Sequence, residues 1–466
     1  MKIIIFAAFA SFALLFTSCE DFLNRTPISN ANEDDFYKSE TDIQLAVVAV
    51  YATLHDLYGP QSLMSYYGEL MSDNAYSENE VSPNDIKQFQ NGAVRADNNK
   101  LEEYWNTYYS SIYKINNVLS KLNGNMSIAT TYEAELKFLR ALYYFNMLQA
   151  WNRIALVVEP LSLTQAYSTS LSTPEETYSL IISDLDFAVA NLPTQPRQIG
   201  TPTNGSANTL LGKVYLTQGN KSAAATALQK VYGKYSLVNY ADLWDLSKKN
   251  GAESIFEIQF AGGVNNPYSR YWAIFTPYAN GVVTQWGLGD NLVSDDLWND
   301  YESADARRDL SVFDHFTNDK GSIDDKHFAK KWVDMSAPLD NQTEASNNNF
   351  IVLRYADVLL MLAEATGDAK YLNEVRSRPG LTLPLYGTSG YPAGYNTFAL
   401  AVEHERRVEF ALEFHRFFDL KRTGRAIDVM KNSWKHISFD ENHLNLPIPQ
   451  AVVDQNPNII KQNPGY

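Results

Sequence analysis

The stretch that most constrains this chain lies near its C-terminal end: AVEHERRVEFALEFHRFFDLKRTGRA, from Ala401 to Ala426. Val402, Phe410, Phe414, Phe417 and Leu420 fall at helical spacings and predict one long helix with a buried face. Gly424 is its expected stop, with Lys421, Arg422 and Arg425 near the negative end of the helix dipole. Glu405, Glu409 and Glu413 recur every four residues, and Arg406 and Arg416 each sit three residues from one of them. Pairing along the helix is therefore expected. The charges alternate with large aromatics, so some must approach the core, where charge survives only when paired. The carboxylates are either catalytic or partners for arginines that lock helices together. An arginine within helical reach of each acid favours the structural reading, and Arg406, Glu409, Glu413 and Arg416 form the expected network.

A chain of 466 residues holds two or three domains or one large helical array. The net charge of −16 argues against a nucleic-acid partner and against electrostatic docking on anionic lipid. Cys19 is the only cysteine, which excludes a disulfide, a cysteine zinc cluster or a cysteine nucleophile within the mature chain. At the N-terminus, Lys2 precedes an apolar run from Ile3 to Phe16. That run is too short for a typical membrane span and fits a secretory signal over residues 1–18. It ends in Phe16-Thr17-Ser18-Cys19, which resembles a bacterial lipobox with phenylalanine in place of the expected leucine. Cys19 is the expected lipidation site and first mature residue.

Helical signals follow in series. Ser39 caps a helix that Gly59-Pro60 stops. Leu101 to Leu122 carries Trp105, Ile112, Ile115 and Leu119 on one side. Thr131 to Trp151 is apolar enough to be packed on several sides. Thr173, Pro174 and Glu176 form a capping box with proline in the first turn. From Asn208 to Val231, Leu211-Gly212, Tyr215, Gly219, Ala224, Leu228 and Val231 match the spacing of a tetratricopeptide repeat. Its small residues let antiparallel helices approach closely.

The stretch 251–349 differs. Ser254 to Phe260 alternates as a strand does. Glycines and prolines then punctuate a run of rings: Tyr268, Tyr271, Trp272, Phe275, Tyr278 and Trp286. It reads as loops presenting aromatic faces. An earlier loose segment, Tyr66 to Asn99, offers Asp73, Asn74, Tyr76 and Arg95, with Trp105 on the helix that follows.

Three stretches carry a family resemblance. ERRVEFALEFHRFFDLKR resembles the hallmark helix of the SusD/RagB family, outer-membrane nutrient-binding lipoproteins of Bacteroidetes-type bacteria. RYADVLLMLAEA resembles another of its helices, and LPIP followed by the ending QNPGY resembles its C-terminal tail. The resemblance spans nearly the whole chain in the right order. It implies a mostly α fold: a tetratricopeptide-like helix-pair array, with an irregular loop-rich ligand-binding part carrying short strands. The mature unit then runs 19–466, with a helical scaffold at about 36–250 and 350–430, an insertion at 251–349 and an extended tail at 446–466. It also implies a non-enzymatic surface lipoprotein that works with a TonB-dependent outer-membrane transporter, captures an oligosaccharide or polysaccharide, and needs no cofactor. Some family members take peptides, and that alternative stays open.

An enzyme is the rival class. His404-Glu405 begins like a zinc-protease motif, but Val408 stands where the second histidine belongs. No nucleophile elbow or phosphate loop is present. Asp295-Asp296 is an acidic pair of the residue type a glycosidase uses, though adjacent acids give no carboxylate separation. Sugar capture needs flat aromatic faces for C–H groups and polar side chains for hydroxyls. The ligand candidates are accordingly Tyr268, Tyr271, Trp272, Tyr278 and Trp286, with the earlier set of Asp73, Asn74, Tyr76, Arg95 and Trp105. No metal site is expected.

Overall fold

The computed structural model describes Tyr37 and residues 39–78, 85–122, 128–263, 265–278, 287–318, 320–334 and 345–466. Residues 1–18, Cys19 and Trp286 lie outside these. Among the described residues nine helices have eight or more residues, α1 Glu40–Leu57, α2 Asn99–Lys121, α3 Ala129–Trp151, α4 Pro174–Asn191, α5 Asn204–Thr217, α6 Lys221–Gln229, α7 Tyr355–Thr366, α8 Ala369–Arg376 and α9 Phe398–Glu409, and the seven-residue α10 Arg416–Arg422 completes the hallmark segment. The strands are short: β1 Ala75–Tyr76, β2 Ser254–Ile258, β3 Leu292–Val293, β4 Val312–Phe313, β5 Phe316–Thr317, β6 Ile323–Asp324, β7 Phe328–Ala329 and β8 Phe350–Arg354.

The helices pack serially. α3 lies against α4, α4 against α5, α5 against α6, and α6 against α7. The step from α6 to α7 crosses more than a hundred residues of sequence, so the array resumes after the insertion as if uninterrupted. α7 then packs on α8 and α9. Local chemistry sets these boundaries. Thr173 accepts from the Glu176 amide while the Glu176 carboxylate accepts from the Thr173 amide, with Pro174 at the first turn. A Cβ on Gly212 would lie 2.5 Å from Leu228, so only glycine permits the close α5–α6 approach. Val47–Tyr466 form one unit, with no separate domain for the insertion. β2 and β8 pair antiparallel at the insertion's two ends. The C-terminal tail is tied down: Leu446 N donates to Ala150 O, Trp151 Nε1 to Pro447 O, and Asn463 Nδ2 to Trp151 O.

The single long helix expected from Ala401 to Ala426 is broken. α9 ends at Glu409, and residues 410–415 form a turn with Leu412 at φ 64° and Phe414 at φ 65°. Non-glycine residues rarely adopt this region, and something must hold them there. Glu69 does so. Its carboxylate accepts from Leu412 N and Phe414 N, each at 3.1 Å, and from Asn74 Nδ2 at 2.9 Å.

The expected pairing within the helix is also corrected. Arg406 pairs with Asp357 and Asp419, and Arg416 with Asp73. The glutamates take their partners from distant segments. Glu405 accepts from Arg307 and Arg376, Glu409 from Arg307, Arg354 and Arg378, and Glu413 from Arg354 and Lys331. All are buried. Burial alone would raise the Glu409 carboxyl, but the three guanidiniums around it hold it well below the usual range. These carboxylates are fully engaged as acceptors where four distant chain segments meet the hallmark stretch.

Candidate functional site

Two ring-bearing segments start from one place. β1 and β3 pair antiparallel, Ala75 opposite Val293 and Tyr76 opposite Leu292. Two residues further, Glu78 N donates to Gly289 O at 2.8 Å. Beneath them sits Asp290, whose carboxylate accepts from Ser77 Oγ at 2.7 Å, Tyr66 OH at 2.9 Å and Gln61 Nε2 at 3.3 Å. Burial raises the Asp290 carboxyl, partly offset by these donors. The backbone is anchored on the other side too: Leu288 N donates to Ala273 O and Gly289 N to Thr276 O. The early and late loops thus share one floor, built before any ligand arrives.

The rim carries rings and charge. Tyr278 is 50% exposed. Half-buried Tyr76 meets Trp434 edge-on at 6.0 Å, and Trp434 is fixed by Nε1 donating to Asp73 O. Trp298 stacks on His327 at 4.4 Å, with the Arg308 guanidinium 4.5 Å from the Trp298 ring centre. Lys326 is ion-paired to Glu78 at 2.5 Å. Burial first, then the negative charges of Glu78, Asp295 and Asp324, push the Tyr76 phenol up.

Several expected ligand residues are elsewhere. Trp272 and Tyr271 lie in a short helix, Tyr271–Ile274, and both are buried. Tyr271 stacks on Trp332 at 4.6 Å, in a ring core continued by Phe350 and Phe414, and its hydroxyl donates to Tyr58 O. The expectation that Tyr271 and Trp272 present their faces from a loop is therefore corrected. Trp105 is buried edge-on against Trp151 at 5.2 Å. Asp73 is buried and bound twice by Arg416, at 2.8 and 2.9 Å, with Arg407 also 2.9 Å away. Burial would raise its carboxyl, but the two guanidiniums hold it well below the usual range. Asn74 is occupied by Glu69 and Arg407. Arg95 is exposed and pairs with Asp97. Tyr268 is half-buried in a separate cleft.

The sequence reading missed Asp290, Glu78, Trp298, Trp434 and His327. Trp298 follows the acidic pair singled out for glycosidase chemistry. That pair is structurally engaged: Asp295 Oδ1 lies 3.0 Å from His327 Nδ1, and Asp296 Oδ2 accepts from Trp434 N. Among the described residues, no group of three His, Cys, Asp or Glu side chains could hold a metal ion. No described helix is long and apolar enough to cross a membrane.

The fold and its loop-bearing face define a SusD-type protein, and sequence comparison agrees. A family model described as "SusD family" matches residues 317–466, and one described as "Starch-binding associating with outer membrane" matches residues 21–216. The chain belongs to the SusD/RagB family. It is 26% identical to SusD-like protein P25 of Formosa agariphila, covering 96% of this chain and 97% of that one. It is 27% identical to a SusD-like protein of Bacteroides ovatus, covering 92% and 85%. Among solved structures, a laminarin-binding SusD-like protein superposes with a TM-score of 0.80 at 29% identity, covering 92% of this chain and all of that one.

Proposed function

We propose that this protein is a non-enzymatic surface lipoprotein that captures a neutral oligosaccharide and passes it to a TonB-dependent outer-membrane transporter. The observation that carries the reading is the β1–β3 junction. It brings the early loop and the later aromatic loop onto one floor over Asp290, with Tyr278 and Tyr76 at the rim. Rings there cover the C–H faces of a sugar, while Glu78, Lys326 and neighbouring backbone groups hydrogen-bond its hydroxyls. The laminarin-binding relative and the starch-binding description of the matching family model support a glucan as ligand. In this reading residues 1–18 are removed and Cys19 carries the lipid anchor, leaving 19–466 as one mature unit.

The carboxylates of the hallmark segment are consumed by arginines, which supports binding without cleavage. The test is a calorimetric screen of residues 20–466 against laminarin, starch, host and microbial glycans and mixed peptides, with chromatography of the same oligosaccharides after long incubation. Glucan binding without shortening supports the reading. Peptide binding alone, or shortened products, overturns it.

A further inference from the structure

A cleft lies beside the Asp290 floor. Its volume is about 520 Å³, within the range of small-ligand pockets, roughly 300–1,000 Å³. It is bounded by the turn after α1, the first turns of α2 and the segment around Tyr268. Tyr268, Tyr104 and Phe260 supply rings; Gln61, Lys100 and Glu103 supply polar groups. Its walls are already fixed. Tyr104 OH donates to Gln61 O at 2.7 Å, and His55 Nε2 lies 3.0 Å from Gln259 O. Next to Tyr268, Ser269 pairs with Ser346 in an antiparallel bridge. Lys100 and Glu103 form an exposed pair at 2.8 Å, one turn into the helix capped by Asn98.

This mixture of half-exposed ring, amide, ammonium and carboxylate suits a hydroxyl-rich ligand, as the rim over Asp290 does. The two places are also joined. Gln61 lines the cleft, and its side chain donates to the same Asp290 carboxylate that holds Ser77 at the floor of the first site. One carboxylate therefore separates them.

We infer that the cleft at Tyr268 is a second saccharide subsite, engaged by the part of a glycan chain that extends beyond the Tyr278 rim. The inference rests on the glycan reading given above. It makes the protein selective for chain length: short oligosaccharides fill the first site alone, and longer ones bridge Gln61 into the cleft. Linking two contacts on one ligand raises affinity without changing either contact.

The test is calorimetry of the wild type and of Tyr268→Ala, Glu103→Ala and Tyr278→Ala with laminaritriose and laminarihexaose, repeated with maltotriose and maltohexaose. Tyr268→Ala is expected to weaken hexasaccharide binding about tenfold, the size of one stacking contact, and to leave the trisaccharide unchanged. Glu103→Ala, an exposed change that spares the fold, is expected to show the same pattern more weakly. Tyr278→Ala is expected to weaken both lengths. Unchanged hexasaccharide affinity in both cleft variants overturns the subsite. Equal losses for the two lengths place Tyr268 in the first site and also overturn it. A wild type that binds neither length contradicts the glycan reading itself, whereas intact binding with no length dependence contradicts only the second subsite.

Discussion

Arg354 donates from Nε to Glu413 Oε2 at 2.8 Å across 59 residues of sequence, and neither side chain reaches solvent. The same guanidinium also binds Glu409 and Glu253. One arginine at the end of β8 thus ties the helical array, the β2–β8 pair and the broken helix together. Such a cluster contributes little if replaced whole by apolar groups, but losing one member strands the rest.

Glu413→Ala leaves Arg354 and Lys331 short of a carboxylate in a buried setting. It is expected to destabilise the fold by about 3–5 kcal/mol with glycan affinity unchanged in whatever protein remains folded. Chemical denaturation followed by titration of the same sample checks both halves. Lost affinity at normal stability would move this carboxylate from scaffold to site.

Trp272→Ala removes a buried ring and opens a cavity in the core. The expected loss is about 3–5 kcal/mol, the usual range for removing a buried tryptophan, again without a specific effect on binding. Tyr278→Ala is its converse: near-native stability, and glycan affinity weaker by about 1–3 kcal/mol by analogy with base stacking on rings. Thermal unfolding beside calorimetry separates the two residues.

How far the sequence spoke depended on range. The helix-pair array was legible because its signals are local: Thr173, Pro174 and Glu176 mark a start, and Gly212 marks a close approach. The break at Leu412 and Phe414 was not, because Glu69, 343 residues upstream of Leu412, holds it. The arginine partners of Glu409 were hidden for the same reason. In the loops, Trp272 and Tyr278 look alike as letters. A four-residue helix is too short to show a period, so only burial in the folded chain distinguishes the core ring of Trp272 from the exposed ring of Tyr278. Tyr76 was read as a candidate, but Trp434, which supports it, lies more than three hundred residues away.

Acid should unfold the protein cooperatively. Asp73, Asp357, Asp419, Glu409 and Glu413 are all held below their ordinary values by paired cations that outweigh burial. Each contributes stability that is fully present above the unfolded carboxylate value, about 4. That stability is lost as pH falls through the lower folded value, because the unfolded chain then binds more protons. Melting temperature is expected to drop steeply below about pH 4. Asp73→Asn should destabilise the protein at pH 7 and flatten the acid limb. An acid limb identical to wild type would contradict the assignment.

Cys19→Ala is expected to release the protein from the outer-membrane fraction, since stable anchoring needs the acyl chains that this residue would carry. Metabolic labelling with a fatty acid should mark the wild type alone. Unchanged fractionation and labelling would contradict the lipoprotein reading.

Glycan capture over the Asp290 floor is tested most directly by titrating residues 20–466 and the Tyr278→Ala variant with the best glucan oligosaccharide from the screen, and then sizing the recovered sugar. The expected result is saturable binding by the wild type, weakened binding by the folded variant, and sugar of unchanged length. Equal affinity in both proteins, or no affinity in either, would contradict capture at this face, and shortened sugar would contradict capture without catalysis.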